Sequence, residues 1–227
     1  LQGVVLANIE FNNVSYEEKG TVFLNNISLN IDQGELFMIR SSDLKEATSL
    51  LYLIHDLIRP SSGEVKISFE DNLGWVGSNC IPMISECTVK EALSLPLLCK
   101  KISKKEIEEK IEEVSLYFSI DPLLKKRVKQ LTPAEYALVA VSKAIIGEPS
   151  LVLLQPFSHL LDHKIAVLIM TYLHEISVDY KVTVVMVEND TRLHPFAGKI
   201  LHLEKGAIKD LLGEGIDLQK LMPFLKI

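Results

Sequence analysis

Apolar and polar positions alternate at both ends of this chain and recur at helical spacing through its middle. Two strands open the pattern, Val4 to Phe11 and Val22 to Ile31, around a turn-rich stretch from Glu17 to Gly20. Gln33-Gly34 turns the chain into a short buried strand, Leu36 to Ile39. The apolar run that follows predicts a helix over Thr48 to Leu57, ended by Pro60 and Ser61-Ser62-Gly63. Val65 to Phe69 and Leu73 to Val76 read as short strands.

The middle changes character. Thr88 to Leu97, Lys104 to Tyr117 and Ala134 to Ile146 read as helices, and Glu106 to Glu113 carries strong helix formers with charge pairs one turn apart. The last third alternates again: strand Leu151 to Leu154, helix Lys164 to Val178, strands Val182 to Val187 and Ile200 to Leu203. A βα alternation interrupted by helices predicts an α/β fold. It has a mostly parallel sheet core, an antiparallel β edge and a helical lobe. One domain over 1–227 is expected, with its core at 1–79 and 147–227 and the lobe at 80–146.

At 227 residues and 48% apolar, the chain can bury a full core. Its net charge of −6 argues against a broad basic surface, so nucleic acid is not an expected partner. The basic runs Lys100-Lys101, Lys104-Lys105 and Lys125-Lys126-Arg127 alternate with acids, as solvated faces do. Cys80, Cys87 and Cys99 lack metal or disulfide spacing, which fits a reducing cytoplasm. No run reaches the roughly 18 apolar residues of a membrane span. The first residue is Leu, so the start reads as trimmed and a lost signal peptide stays open. Among the histidines, His159 and His163 are four apart but lack an acid at metalloprotease spacing, and read as a solvated pair. No metal site is expected.

The stretch Ile39-Arg40-Ser41-Ser42-Asp43-Leu44-Lys45-Glu46-Ala47-Thr48 joins a strand to an apolar helix, where a phosphate-binding loop would place glycines and a lysine. No glycine occurs between Gly34 and Gly63, and the lysine position reads Ala47. Three other stretches frame it: Leu24-Asn25-Asn26-Ile27-Ser28-Leu29-Asn30-Ile31-Asp32-Gln33-Gly34-Glu35, Arg59-Pro60-Ser61-Ser62-Gly63-Glu64-Val65, and Ala197 to Ile208. In that order and spacing they resemble the nucleotide-binding domain of ABC transporters, from about Ile9 to Lys209. The resemblance implies a P-loop NTPase-type sheet core.

It also implies a set of site residues, most of them altered here. The P-loop glycines become Ser41, Leu44 and Glu46; Asp43 and Glu46 set negative charge where phosphate would sit. Thr48 keeps the magnesium-ligand position, with an ordinary first-turn role as the alternative. Tyr16 is the candidate adenine-stacking residue, with a core or turn role open. Ser78 stands for the Q-loop glutamine, and Leu131-Thr132-Pro133-Ala134-Glu135 for the signature, where Thr132 and Glu135 form a capping box. A gapless match puts Gln155 on the magnesium aspartate and Pro156 on the catalytic glutamate; matching the proline instead puts Leu154 and Gln155 there. Neither supplies a carboxylate. Asp162 falls on the D-loop aspartate and Asn189 on the switch histidine.

The resemblance therefore implies a non-catalytic, ATPase-like subunit of a transport complex. Hydrolysis is lost or supplied by another subunit. The expected partners are an integral membrane permease and a second cassette subunit in a head-to-tail dimer, at the cytoplasmic face of the membrane. No catalytic residue and no cofactor is expected, although weak binding of ATP and magnesium stays open. A weakly active ATPase and a soluble pseudo-ATPase interaction module are the alternatives. The apolar run Ile81-Pro82-Met83-Ile84 is the expected permease-docking loop, with packing between the lobes as the other reading.

Overall fold

The computed structural model describes residues 8–68, 73–77, 85–98, 100 and 102–213. β1 (Asn8–Glu18) and β2 (Thr21–Ile31) form an antiparallel hairpin, and β4 (Ser62–Ser68) joins the free edge of β1. The second sheet has the order β5 (Leu73–Val76), β6 (Leu151–Leu154), β7 (Thr183–Val187), β3 (Leu36–Ser41), β8 (Lys199–Glu204), β9 (Ala207–Leu212). All its neighbours are parallel except β9, which turns back on β8.

β6 and β7 are buried on both faces, so Leu151 to Leu154 and Val184 to Val187 are unbroken apolar runs. Successive residues serve two different cores. Phe37, Ile39, Leu153, Val185 and Leu201 point to one side, where α1 (Leu44–Ile54) lies packed between the two sheets. Met38, Val152, Leu154, Val184 and Met186 point to the other. That side is covered by α5 (His163–Tyr180) and the helical insertion α2 (Val89–Leu98), α3 (Lys104–Tyr117) and α4 (Pro133–Ile145) between β5 and β6. At Gly74 on β5 a Cβ would lie 2.5 Å from the Ala144 carbonyl oxygen, so α4 can approach the strand this closely only over glycine. Several basic residues of the insertion pair with acids at its surface, among them Lys126 with Glu135 at 2.7 Å and Lys129 with Glu86 at 2.8 Å.

Two expectations are corrected. The first strand does not stop at Phe11 but runs to Glu18, so Tyr16 lies within it. It passes the polar Asn12-Asn13 by a bulge, with Asn13 at φ 50°, a conformation Asn tolerates. Gly63 sits against that bulge at φ +80°, where a Cβ would be 2.3 Å from the Asn13 carbonyl oxygen. The first helix begins at Leu44, not Thr48, because Asp43 caps it. The sequence reading also missed β9.

Candidate functional site

Parallel pairing brings the carboxyl ends of the central strands to one edge. β3 and β7 align Ile39 with Val187, and β5 and β6 align Val76 with Leu154. The β3–α1 turn, Gln155 and Glu188-Asn189 therefore emerge side by side, the place where open α/β sheets carry their ligands.

The turn is closed on itself. Asp43 accepts a hydrogen bond from the Lys45 N–H at 2.8 Å, which starts α1. Glu46, third residue of the helix, is only 8% exposed. In a capping box this side chain would reach the backbone N–H of the cap directly. Here Ser41 stands between them: the Asp43 N–H donates to Ser41 Oγ at 3.0 Å, and Ser41 Oγ donates to Glu46 Oε2 at 2.8 Å. Asp43-Leu44-Lys45-Glu46 matches the capping signature, and that signal could have placed the helix start from sequence.

The other candidate groups around the turn have local partners. Ala47, at the lysine position, is fully buried beside Leu50, Leu51 and Ile39. Lys45 turns outward to Glu18 at 2.5 Å and over the Phe23 ring at 4.1 Å from its centroid. The Glu18 carboxylate raises the Lys45 pKa and is itself lowered by it. Tyr16 packs beside Phe23, ring centroids 6.3 Å apart. Thr48 Oγ1 donates back to the Leu44 carbonyl at 2.7 Å, the ordinary first-turn arrangement.

On the neighbouring strand, Asn189 Oδ1 accepts from the Ser41 N–H at 3.1 Å and its Nδ2 donates to the Ser41 carbonyl at 2.8 Å. Glu188, which the sequence reading passed over, is 3% exposed. Its carboxylate accepts from the backbone N–H groups of Asn189 (2.8 Å), Asp190 (3.0 Å) and Ser158 (3.2 Å). An acid directly after the apolar run Val184 to Val187 was the available signal. Gln155 is also buried; its Nε2 donates to the Tyr52 hydroxyl at 2.7 Å.

The chain is 25% identical over 229 residues to the ABC transporter ATP-binding protein YxdL of Bacillus subtilis (strain 168), spanning 93% of this chain and 89% of that protein. It is 24% identical to the uncharacterized ABC transporter ATP-binding protein YvcR of the same organism, over 95% of this chain and 90% of the relative. No protein-family model matches it. Among solved structures, an ATP-binding cassette dimer in a post-hydrolysis state with ADP and phosphate superposes with a TM-score of 0.80 at 24% identity. The match spans 91% of this chain and 99% of that one. The cbiO1 protein of Clostridium perfringens, part of the cbiONQ transporter complex, gives 0.81 at 19% identity over 98% and 96% of the two chains. The fold is that of an ATP-binding cassette.

The β3–α1 turn is the stretch that the sequence resemblance matches with a P-loop. Tyr16, Thr48 and Asn189 all gather on this side of the molecule, around the turn or the residues bonded to it. Ser78, Ile81, Met83 and Ile84 lie outside the described residues. Asp162 is the N-cap of α5, accepting from the Lys164 and Ile165 N–H groups at 2.8 and 3.3 Å. At the signature position the expected capping box is formed: Thr132 Oγ1 accepts from the Glu135 N–H at 3.2 Å, and Glu135 accepts from the Thr132 N–H at 2.8 Å. His159 lies in a short 3-10 turn and His163 opens α5, so no single helix carries both. Among the described residues, no three His, Cys, Asp or Glu side chains converge to hold a metal, and no helix is long and apolar enough to cross a membrane.

Proposed function

We propose that this chain is the cassette subunit of a membrane transport complex and does not itself hydrolyse ATP. Hydrolysis is lost or supplied by a second cassette subunit paired with it head to tail. The observation that carries this reading is the buried Glu46 carboxylate bonded to Ser41 inside the turn where phosphates would lie. The surrounding residues do not fit a nucleoside triphosphate. No glycine lets the backbone approach, the cation Lys45 is committed to Glu18, and Ala47 is buried. The strand end offers Gln155 and Pro156 in place of a carboxylate for magnesium. Two relatives named as ABC transporter ATP-binding proteins, and neighbours solved as a dimer or as part of a transporter complex, support the transport assignment.

In this reading 1–227 is one domain with its helical lobe at 80–146. Tyr16, Thr48, Ser78 and Asn189 are remnants of a nucleotide site. Ile81, Met83, Ile84 and Asp162 face partner chains, and the subunit sits on the cytoplasmic face of the membrane against an integral permease. Calorimetry with MgATP tests it. The expected dissociation constant is weaker than about 1 mM, roughly 4 kcal/mol of binding free energy. A low-micromolar value refutes the non-catalytic reading. Failure of a permease to co-purify from detergent-solubilised membranes refutes the transport assignment.

A further inference from the structure

The hydrogen bonds of the turn continue without a break across three strands. Glu46 holds the Ser41 hydroxyl, the Ser41 backbone is held at both its N–H and its carbonyl by the Asn189 amide, and Glu188 holds the N–H groups of Asn189 and Ser158. The Asn189 amide adds one rung to the β3–β7 pairing beyond its last backbone bond, Glu188 N–H to the Ile39 carbonyl at 3.0 Å. Ser41, Glu46 and Glu188 are 2%, 8% and 3% exposed, so little water competes for the Ser41–Glu46 bond, whereas Asn189, which joins the two ends, is exposed.

We propose that this chain of contacts is a structural latch. It fixes the carboxyl ends of β3 and β7 and the loop after β6 in one arrangement. The proposal rests on the reading that this turn takes up no nucleotide. The start of a helix favours an anion through its free N–H groups and dipole. Here Glu46 sits in the first turn and binds the free N–H of the cap through Ser41, so a carboxylate of the chain itself serves as that anion. Asn189 and Glu188 carry it to the neighbouring strand ends. A partner docked on this subunit thus meets one fixed edge.

Hydrogen–deuterium exchange on the whole chain tests the latch. In the wild type the Ser41 and Asn189 amides should exchange as slowly as the centre of β7. Asn189→Ala and Glu46→Ala should each speed exchange at Ser41 about tenfold or more, leaving α3 unchanged. Glu46→Gln, which keeps an acceptor for the Ser41 hydroxyl, should speed it less. Fast exchange at Ser41 in the wild type overturns the latch, a measurement that needs no variant to fold. So does an unchanged rate in both alanine variants. If a few millimolar MgATP slows these amides further while the variant effects stand, the nucleotide reading fails and the latch survives.

Discussion

The starts of α1 and α4 carry the same local pattern, a capping residue followed three positions later by glutamate, and use it in opposite ways. At α4 the pair closes on itself: Thr132 and Glu135 exchange hydrogen bonds at the surface, and Lys126 flanks the glutamate. At α1 the glutamate is buried, a serine from the preceding strand is inserted into the pair, and that serine is bound to another strand. The first cap is complete within four residues and could be moved to any helix. The second exists only where β3, α1 and β7 meet. Both helix starts are satisfied by the protein itself.

The largest test of this difference is Ala47→Lys, which puts a cation where the proposed function finds none. Ala47 is fully buried beneath the α1 start, so the ammonium enters the core between the sheets. The expected cost is about 2–4 kcal/mol of unfolding free energy, read by denaturant titration. Ala134→Lys, in the half-buried first turn of α4, should cost under about 1 kcal/mol. Equal costs would erase the distinction between the two starts. Phosphate release by Ala47→Lys should stay at background, because Gln155 and Pro156 still supply no carboxylate and a site that works as a unit is not repaired by one member.

A smaller contrast comes from removing the hydroxyl in each start. Ser41→Ala takes away the donor to the buried Glu46 oxygen and the acceptor for the Asp43 N–H, and should cost about 2–3 kcal/mol. Thr132→Ala removes one exposed cap and should cost about 1 kcal/mol. The ordering of these two losses is the point. If Thr132→Ala costs as much as Ser41→Ala, the relay through Ser41 adds nothing to an ordinary cap.

The same contrast separates what was legible in the sequence from what was not. The Thr132-Pro133-Ala134-Glu135 cap was readable because every partner lies within one helical turn. The buried strands Leu151–Leu154 and Thr183–Val187 were readable, the first at its exact limits in the chain, because burial on both faces leaves an unbroken apolar run. The α1 start was misplaced by four residues because Asp43 and Glu46 were weighed only as charges repelling a phosphate, and not as a cap. The Asn189 clamp on Ser41 spans 148 residues of chain, and no local pattern announces it. β1 was cut short because a bulge lets a strand run through Asn12-Asn13 where alternation fails.

The smallest expected effect is acid sensitivity, and it sharpens the comparison among local caps. The Glu106 and Glu135 carboxyls are held below their ordinary value of 4.5. For Glu106 the main cause is the Ser103 backbone N–H; for Glu135 it is the Lys126 ammonium, with the Thr132 N–H second. The unfolded chain takes up these protons first as pH falls. The stability the two groups contribute is therefore complete above about pH 4.5 and is lost as pH drops through their lower folded values. Both groups are solvated, so each should move the melting temperature by only about 1–2 °C between pH 6 and pH 3. Lys126→Gln should shrink the share due to Glu135 and leave that of Glu106, whose partner is backbone. Salt at about 0.5 M should do the same by screening the ammonium. If Lys126→Gln removes the acid response of both, the two caps are coupled through the lobe and cannot be treated as independent local devices.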